Sequence, residues 1–278
     1  MRLVKVKTQE GDTIVGVKNN DLVFSTPYRS VLEVILAGDE GLANLERAME
    51  MQQSIDGYRM LAPVDTPSKI LCSGINYKNH KDENPGAVFP KKPSVFSKLP
   101  SSIIGPDDPI VLPYPDCQVD YEVELAFVIG KQAKEVVRGE ALDYVFGYTV
   151  LNDVSGRDLQ FELQHETIGK GLDTFCPIGP ELVLAHDFLD PAELHVTSYV
   201  NGEIRQDSST KEMLFDVPAL IENLSRYITL LPGDIVSTGT PAGVGLFRKP
   251  PVFLKPGDLV EVEVREIGRL RNPVVANW

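Results

Sequence analysis

Two glutamates on one predicted strand are the side chains in this sequence best placed to do chemistry. Glu122 and Glu124 lie in the segment DYEVEL (120–125). Side chains two residues apart on a strand share a face, so the two carboxylates point the same way, as does that of Asp120. Carboxylates this close repel each other unless a cation or water separates them. The pattern indicates a cation site, with a solvent-exposed strand face as the simpler alternative.

A third carboxylate, Asp153, follows at the end of an apolar strand and just before a predicted helix. On that helix Arg157 and Gln160 are three residues apart and share a face. Lys170 follows in a glycine-flanked segment that we predict to be a loop. Together these groups could form a hard-cation site beside an anion pocket, because oxygen ligands favour Mg²⁺, Mn²⁺ or Ca²⁺ over Zn²⁺. Alternatively, Asp153 could simply cap the helix.

A possible general base lies in the segment GINYKNHKDE (74–83). His80 and Glu83 are three residues apart on a predicted short helix, so the carboxylate could orient the imidazole as a general base. The alternative is an ordinary surface contact. The other three histidines receive no role from their surroundings.

A glycine-rich segment, DIVSTGTPAGVG (234–245), follows a predicted strand. It is neither a P-loop nor a dinucleotide-binding motif, because no third glycine completes the spacing and no βαβ unit surrounds it. Its backbone N–H groups and the hydroxyl of Thr240 could hold a carboxylate. A tight turn without a ligand is the alternative.

The elements that must position these groups are short strands separated by turns. The 22 glycines and 21 prolines indicate many breaks rather than a helix bundle. The pair Asn201-Gly202 predicts a tight hairpin turn. Alternation or apolar runs predict strands over 2–7, 13–17, 70–75, 120–129, 144–154 and 259–266, and a hairpin within 196–205. Helical periodicity predicts helices that begin at Ser30 and Glu40 and that cover 156–166 and 217–228.

We divide the chain near the proline-containing segment LAPVDTPSK (61–69). Residues 1–65 form a predicted small N-terminal α+β domain, and residues 66–278 form the predicted catalytic domain. Strands outweigh helices over the whole chain, so the predicted fold class is α+β and β-rich.

The composition is that of a globular protein with an acidic surface. Its 278 residues are 42% hydrophobic and 24% charged, and the formal net charge is −13. Such a surface repels nucleic-acid phosphates and anionic membranes, so we expect neither as a partner. The three cysteines have no paired spacing, and no segment resembles a signal peptide or a membrane span. We therefore expect a soluble cytoplasmic protein.

Taken together, the motifs resemble the fumarylacetoacetate hydrolase family, in its smaller acylpyruvate-hydrolase and isomerase branch. The resemblance extends across roughly residues 66–275 and implies the family's mixed β-roll and a homodimer. Six segments carry it, in the family's order: GINYKNHKDE, FSKLPSSIIGP, DYEVELAFVIG, LNDVSGRDLQ, GKGLDTFCPIGP and STGTPAGVG.

The resemblance also implies roles for individual residues. It assigns Glu122, Glu124 and Asp153 to a Mg²⁺ or Mn²⁺ site. It assigns His80 and Glu83 to the activation of water. It assigns the remaining residues to substrate contact or to stabilisation of a developing oxyanion, with Lys170 as the catalytic member. These residues are Arg157, Gln160, Lys170, Thr240 and Lys98.

The chemistry that these groups favour is the metal-dependent hydrolysis of a C–C bond in an acylpyruvate-like dicarbonyl acid, such as fumarylpyruvate or fumarylacetoacetate. A 2-oxo acid chelates a divalent cation through its carboxylate and keto oxygens, and C–C cleavage leaves an enolate. Ser73 stands where the larger fumarylacetoacetases of the family have a further aspartate ligand, which favours the smaller branch.

Two other functions stay open at this point. Loss of carbon dioxide from oxaloacetate and proton transfer between enol and keto forms both pass through the same enolate. An oxaloacetate decarboxylase, or a tautomerase or isomerase of 2-hydroxy-diene-dioates, is therefore the alternative enzyme. A non-catalytic protein that binds a ligand through its metal is the alternative from another class.

We expect the chain to form a two-fold homodimer, the commonest closed symmetry, with a small 2-oxo acid as its other partner. Light scattering on the purified protein at micromolar concentration should give the mass of two chains. A single-chain mass would contradict the dimer without affecting the active-site prediction.

Overall fold

The structure is a computed structural model. It describes residues 1–83, 86, 88–162, 164–187 and 190–278, except for the side chain of Asp82. The strands are numbered in chain order. They are β1 (Arg2–Lys7), β2 (Thr13–Asn19), β3 (Leu22–Ser25), β4 (Arg59–Leu61), β5 (Ile70–Ser73), β6 (Val95–Lys98), β7 (Ile103–Ile104), β8 (Ile110–Leu112), β9 (Val119–Asp120), β10 (Val123–Ile129), β11 (Val145–Asn152), β12 (Ser155–Gly156), β13 (Cys176–Leu184), β14 (His195–Val200), β15 (Glu203–Ser209), β16 (Ile235–Ser237), β17 (Leu259–Val264) and β18 (Gly268–Ala276).

The helices are short, and local sequence determines where several of them begin. Ser30 and Glu33 form a capping box at the start of the first helix, and Asp216 caps the last one through the N–H of Ala219. No helix among the described residues is long and apolar enough to cross a membrane. The α-helices are α1 (Val31–Leu36), α2 (Gly38–Met51), α3 (His80–Glu83), α4 (Arg157–Glu162), α5 (Glu166–Lys170) and α6 (Val217–Tyr227).

The described strands form three sheets, which confirms the β-rich α+β class. The main sheet has the order β3-β2-β1-β13-β11-β10-β16-β5-β6, with β4 beside β1 and β7 beside β13. The second sheet has the order β15-β14-β17-β18-β8, and β9 pairs with β12 alone. Strands β10 and β11 are therefore central neighbours, and they pair antiparallel with Val123 opposite Asn152.

Strand β10 is buried on both faces, which explains its nearly continuous apolar sequence. On one face Leu125 and Phe127 belong to the core that includes β17 of the second sheet and helix α6. On the other face Ala126 and Val128 belong to the core beneath α1 and α2. Glu124 lies two residues before Ala126 on the strand, so its side chain is on this second face, where it is only 1% exposed.

The N-terminal strands extend the main sheet. Strand β1 pairs with β13, with Leu3 opposite Leu182, and β2 and β4 flank β1. The predicted boundary between residues 65 and 66 lies between β4 and β5. It stays a prediction.

Most predicted elements are present, including the hairpin turn, where Asn201 and Gly202 join β14 to β15 with positive φ angles of 54° and 80°. Three predictions were wrong in detail. The strand predicted over 120–129 is interrupted between β9 and β10. There the carboxylate of Asp120 accepts hydrogen bonds from the backbone of the loop at Gly245 and Leu246. The helix predicted over 156–166 is split into α4 and α5. Lys170 ends α5 rather than lying in a loop.

Replacing Ser30 with Ala should destabilise the fold by about 1 kcal/mol, because the side chain accepts a hydrogen bond from the backbone N–H of Glu33 at 3.1 Å. The shift in the midpoint of urea unfolding measures this cost. Ser101→Ala is the control, since Ser101 is exposed and caps no α-helix. Equal midpoints for the two variants would contradict a stabilising role for the cap.

Candidate active site

Three buried carboxylates meet at one end of strands β10 and β11. Ligand atoms of Glu122, Glu124 and Asp153 all lie within 4.8 Å of one another. Antiparallel pairing explains the meeting, because Asp153 donates its N–H to the carbonyl of Glu122 across the two strands. Glu122 is 7% exposed and Asp153 is fully buried. The alternative of a solvent-exposed strand face is therefore wrong.

Cationic side chains compensate two of these three carboxylates. Lys170 donates to Oε2 of Glu122 at 2.8 Å and to Oδ2 of Asp153 at 2.5 Å. Lys98 donates to Oδ1 of Asp153 at 2.6 Å, and Arg157 donates to Oε1 of Glu122 at 2.5 Å. Both oxygens of Asp153 thus bind lysines, so this side chain does not act as the helix cap considered from the sequence.

Glu124 differs from its two neighbours because, in the described part of the chain, it forms no ion pair within 4 Å. Its partners are neutral donors, the hydroxyl of Ser237 and the N–H of Gly239. Burial and repulsion from Asp153 and Glu122 raise the pKa of Glu124 well above its usual value. In Glu122 burial acts in the same direction, but the charges of Lys170 and Arg157 lower its pKa to about 2.

The residues present fit a divalent cation. The donor set contains only carboxylate oxygens, which Mg²⁺, Mn²⁺ and Ca²⁺ prefer. One carboxylate of the set lacks a compensating charge, and a cation would supply it. Together with Asp120, the cluster contains four buried carboxyl groups and three cationic side chains, those of Lys98, Arg157 and Lys170. The carboxyl group of Glu124 is thus the one without a paired positive charge among the described residues.

The glycine-rich segment holds carboxylates, but they belong to the protein itself. Gly239 donates its N–H to Glu124, and Gly243 donates its N–H to Glu83 at 2.6 Å. A side chain could not replace Gly243, because a Cβ atom would lie 2.2 Å from the carbonyl oxygen of Arg205. The prediction that these amides hold a ligand carboxylate does not fit the contacts that they make.

Asp120 has a role that the sequence did not reveal. Its carboxylate accepts hydrogen bonds from the backbone N–H groups of Gly245 and Leu246 at 2.8 and 3.0 Å. It also accepts two from Arg157, both at 3.0 Å. Asp120 therefore fixes the guanidinium group to the glycine-rich loop. Its strand-face position gave no signal of this role, because the loop is distant in sequence.

His80 and Glu83 form the predicted pair on helix α3. Nδ1 of His80 lies 2.8 Å from Oε1 of Glu83, and the ring of Phe247 meets the imidazole edge-on at 5.4 Å. Both side chains are largely buried, at 14% and 11% exposure, so the pair is not an ordinary surface contact. The carboxylate of Glu83 lies beside Nδ1 without forming a hydrogen bond to it, and Nε2 is the other ring nitrogen available for proton transfer.

A cavity of about 380 Å³ opens onto the carboxylates. Among its lining residues are predicted residues of each class: His80, Glu122, Glu124, Arg157, Gln160, Lys170 and Thr240. Ser73 also lines it, and its buried hydroxyl has no hydrogen-bond partner among the described residues.

Three predicted substrate contacts have protein partners in this structure. The hydroxyl of Thr240 donates to the carbonyl of Val123, and Gln160 accepts from Arg157 at 3.2 Å. The ammonium group of Lys98 is completely shielded from solvent behind Asp153. This position fits a residue that orients a carboxylate better than one that touches substrate.

Known proteins resemble the chain over most of its length. Residues 69–275 match the family described as fumarylacetoacetate (FAA) hydrolase C-terminal. The chain is 44% identical to the mitochondrial oxaloacetate tautomerase of Xenopus laevis, over 98% of this chain and 86% of that protein. It is 43% identical to a human mitochondrial oxaloacetate tautomerase, over 94% of this chain and 84% of that protein. The cytoplasmic location therefore stays a prediction.

Solved structures with the same fold carry different enzyme names. A fumarylacetoacetate hydrolase from the psychrophilic Exiguobacterium antarcticum matches with a TM-score of 0.90 and 40% identity over the whole of both chains. A 2-hydroxyhepta-2,4-diene-1,7-dioate isomerase from Mycobacterium marinum matches with a TM-score of 0.79 and 35% identity, over 100% of this chain and 99% of that one. The fold alone does not choose among these reactions.

Replacing Glu124 with Gln should weaken Mn²⁺ binding by more than about 10²-fold, since even the loss of a group that only supports a ligand costs 10–100-fold. The metal-free variant should be at least as stable as the wild type, because burial of the Glu124 charge is unfavourable without a cation. Calorimetric titration and thermal unfolding measure the two effects. Glu162→Gln, an exposed change on α4, is the control. Unchanged Mn²⁺ affinity in Glu124→Gln would remove the basis of the metal site.

Proposed function

The chain belongs to the fumarylacetoacetate hydrolase family, and we propose that it is a divalent-metal-dependent tautomerase of oxaloacetate-like 2-oxo acids. The observation that carries the proposal is the buried set of Glu122, Glu124 and Asp153 beside Lys170, with His80 on the wall of the same cavity. The relatives named oxaloacetate tautomerases, similar over nearly the whole chain, support this reaction over hydrolysis.

The keto and enol forms of oxaloacetate differ in the place of one proton, on C3 or on the oxygen at C2. Their interconversion needs a base at C3 and a group that stabilises the negative charge on the oxygen. A divalent cation held by the three carboxylates supplies Lewis-acid chemistry at the 2-oxo group. No water molecule has to attack.

His80 is the proposed base, acting through Nε2, with the charge of Glu83 beside the other ring nitrogen. Gly243 donates its N–H to Glu83, which fixes that carboxylate next to the imidazole. Such positioning lowers the cost of bringing the base to the substrate.

Lys170 is the proposed donor to the developing oxyanion. Burial opposes its charge, but the carboxylates of Asp153 and Glu122 raise the pKa of Lys170 above its usual value. The side chain therefore stays protonated and acts as a hydrogen-bond donor rather than as a base.

Hydrolysis of an acylpyruvate is the second candidate, and the His80–Glu83 pair favours it, because the same base could deprotonate water. A panel of oxaloacetate and an acylpyruvate with Mg²⁺ or Mn²⁺ separates the two, when enol decay, release of carbon dioxide and C–C cleavage are scored independently.

Replacing His80 with Ala should slow the tautomerisation of oxaloacetate by about 10²–10⁴-fold, the usual contribution of a positioned acid or base. Glu83→Gln should lower the rate in the same direction, because the imidazole loses its orienting charge. Decay of the enol absorbance with saturating Mn²⁺ measures both. His165→Ala, an exposed histidine outside the pair, is the control. A His80→Ala rate within a few-fold of the wild type would show that the proposed base is wrong.

A further inference from the structure

The cavity is larger and more apolar than a four-carbon diacid requires. Nine non-hydrogen atoms of oxaloacetate, each taking at most the ~30 Å³ of one water molecule in the liquid, fill no more than about 270 Å³. The cavity measures about 380 Å³. Seven of the lining residues have apolar side chains: Ile75, Val95, Phe96, Phe161, Val244, Leu246 and Phe247.

Two of the three phenylalanines already contact polar groups of the site, whereas the third, Phe161, makes no ring contact with the described part of the chain. The ring of Phe96 lies 4.8 Å from Nζ of Lys170, and Phe247 meets His80 edge-on. Phe161 lines the same cavity from α4, yet it is 56% exposed. An aromatic side chain this exposed on a cavity wall has free surface for a ligand ring.

The charges at the cavity wall do not favour a second carboxylate. Lys170 and Arg157 are the only lysine and arginine among the described lining residues, and both bind the protein's own carboxylates. A further carboxylate, that of Glu166, lines the cavity and accepts a hydrogen bond from Gln160 at 2.7 Å. The distal carboxylate of a diacid would meet this negative charge, whereas a neutral ring would not.

We infer that the cavity also accepts arylpyruvates, which are 2-oxo acids with an aromatic ring on C3, and interconverts their keto and enol forms. The inference rests on the proposed tautomerase function. The 2-oxo acid end takes the place proposed for that of oxaloacetate, and the ring packs against Phe161. One proton moves between C3 and the oxygen at C2, and the double bond shifts from C2=O to C2=C3. No bond between heavier atoms is made or broken, so no co-reactant is needed.

The test compares phenylpyruvate with oxaloacetate on the same Mn²⁺-loaded enzyme, with decay of each enol absorbance as the signal. The wild type should accelerate both reactions. Acceleration of oxaloacetate alone would overturn the inference and leave the proposed function intact. Acceleration of neither substrate would overturn both.

Two variants test the proposed contact of the ligand ring with Phe161 and the effect of the Glu166 charge. In Phe161→Ala the ratio of kcat/KM for phenylpyruvate to that for oxaloacetate should fall about tenfold, as expected for the loss of one aromatic contact. In Glu166→Gln the same ratio should fall several-fold at low salt, because only the diacid gains from removal of the charge. Tyr227→Ala, which removes an exposed ring on α6, is the control. A ratio that neither variant changes would overturn the inference.

Discussion

The burial of charge is the constraint on which this structure depends. An ionised group removed from water costs several kcal/mol unless partners compensate it, so each charged side chain in the interior needs a defined neighbour. The neighbours alternate in sign along one chain of contacts: Asp120, Arg157, Glu122, Lys170, Asp153 and Lys98. Glu124 lies outside this series of ion pairs and accepts hydrogen bonds from neutral donors only. A cation would supply the positive charge that Glu124 lacks, and this supports the proposed metal site.

The glycine-rich loop connects three parts of the site that differ in purpose. Its backbone amides bind Glu124 of the metal site, Glu83 behind the proposed base, and Asp120 behind Arg157. Residues of the same loop also form part of the cavity wall. At Gly243 the loop also passes close to the backbone carbonyl of Arg205 with a φ of +112°, which explains why a side chain is not tolerated there.

One arrangement of groups supports several reactions of 2-oxo acids because they share an enolate. In the proposed mechanism a cation held by the carboxylates, together with Lys170, would stabilise the charge that develops on oxygen, whatever atom leaves or arrives at carbon. What differs between reactions is the use of His80, on a C–H group or on water, and the shape of the cavity beyond the metal site. The identity of the reaction is thus decided at the walls and at the base, not at the cation.

The class of the fold and the chemical type of the site can be predicted from local patterns in the sequence. Alternating residues and turn pairs such as Asn201-Gly202 are local signals, and the spacing of Glu122 and Glu124 on one strand is local as well. The family motifs identify His80, Glu83 and Asp153 from the sequence. Tertiary structure alone decided which charges meet. Asp120 reaches the loop at Gly245 and Leu246, Lys98 lies behind Asp153, and Glu166 lines the cavity, and none of these contacts follows from periodicity. They depend on how distant segments pack, because the free energy of a buried charge is set by neighbours in space rather than in sequence.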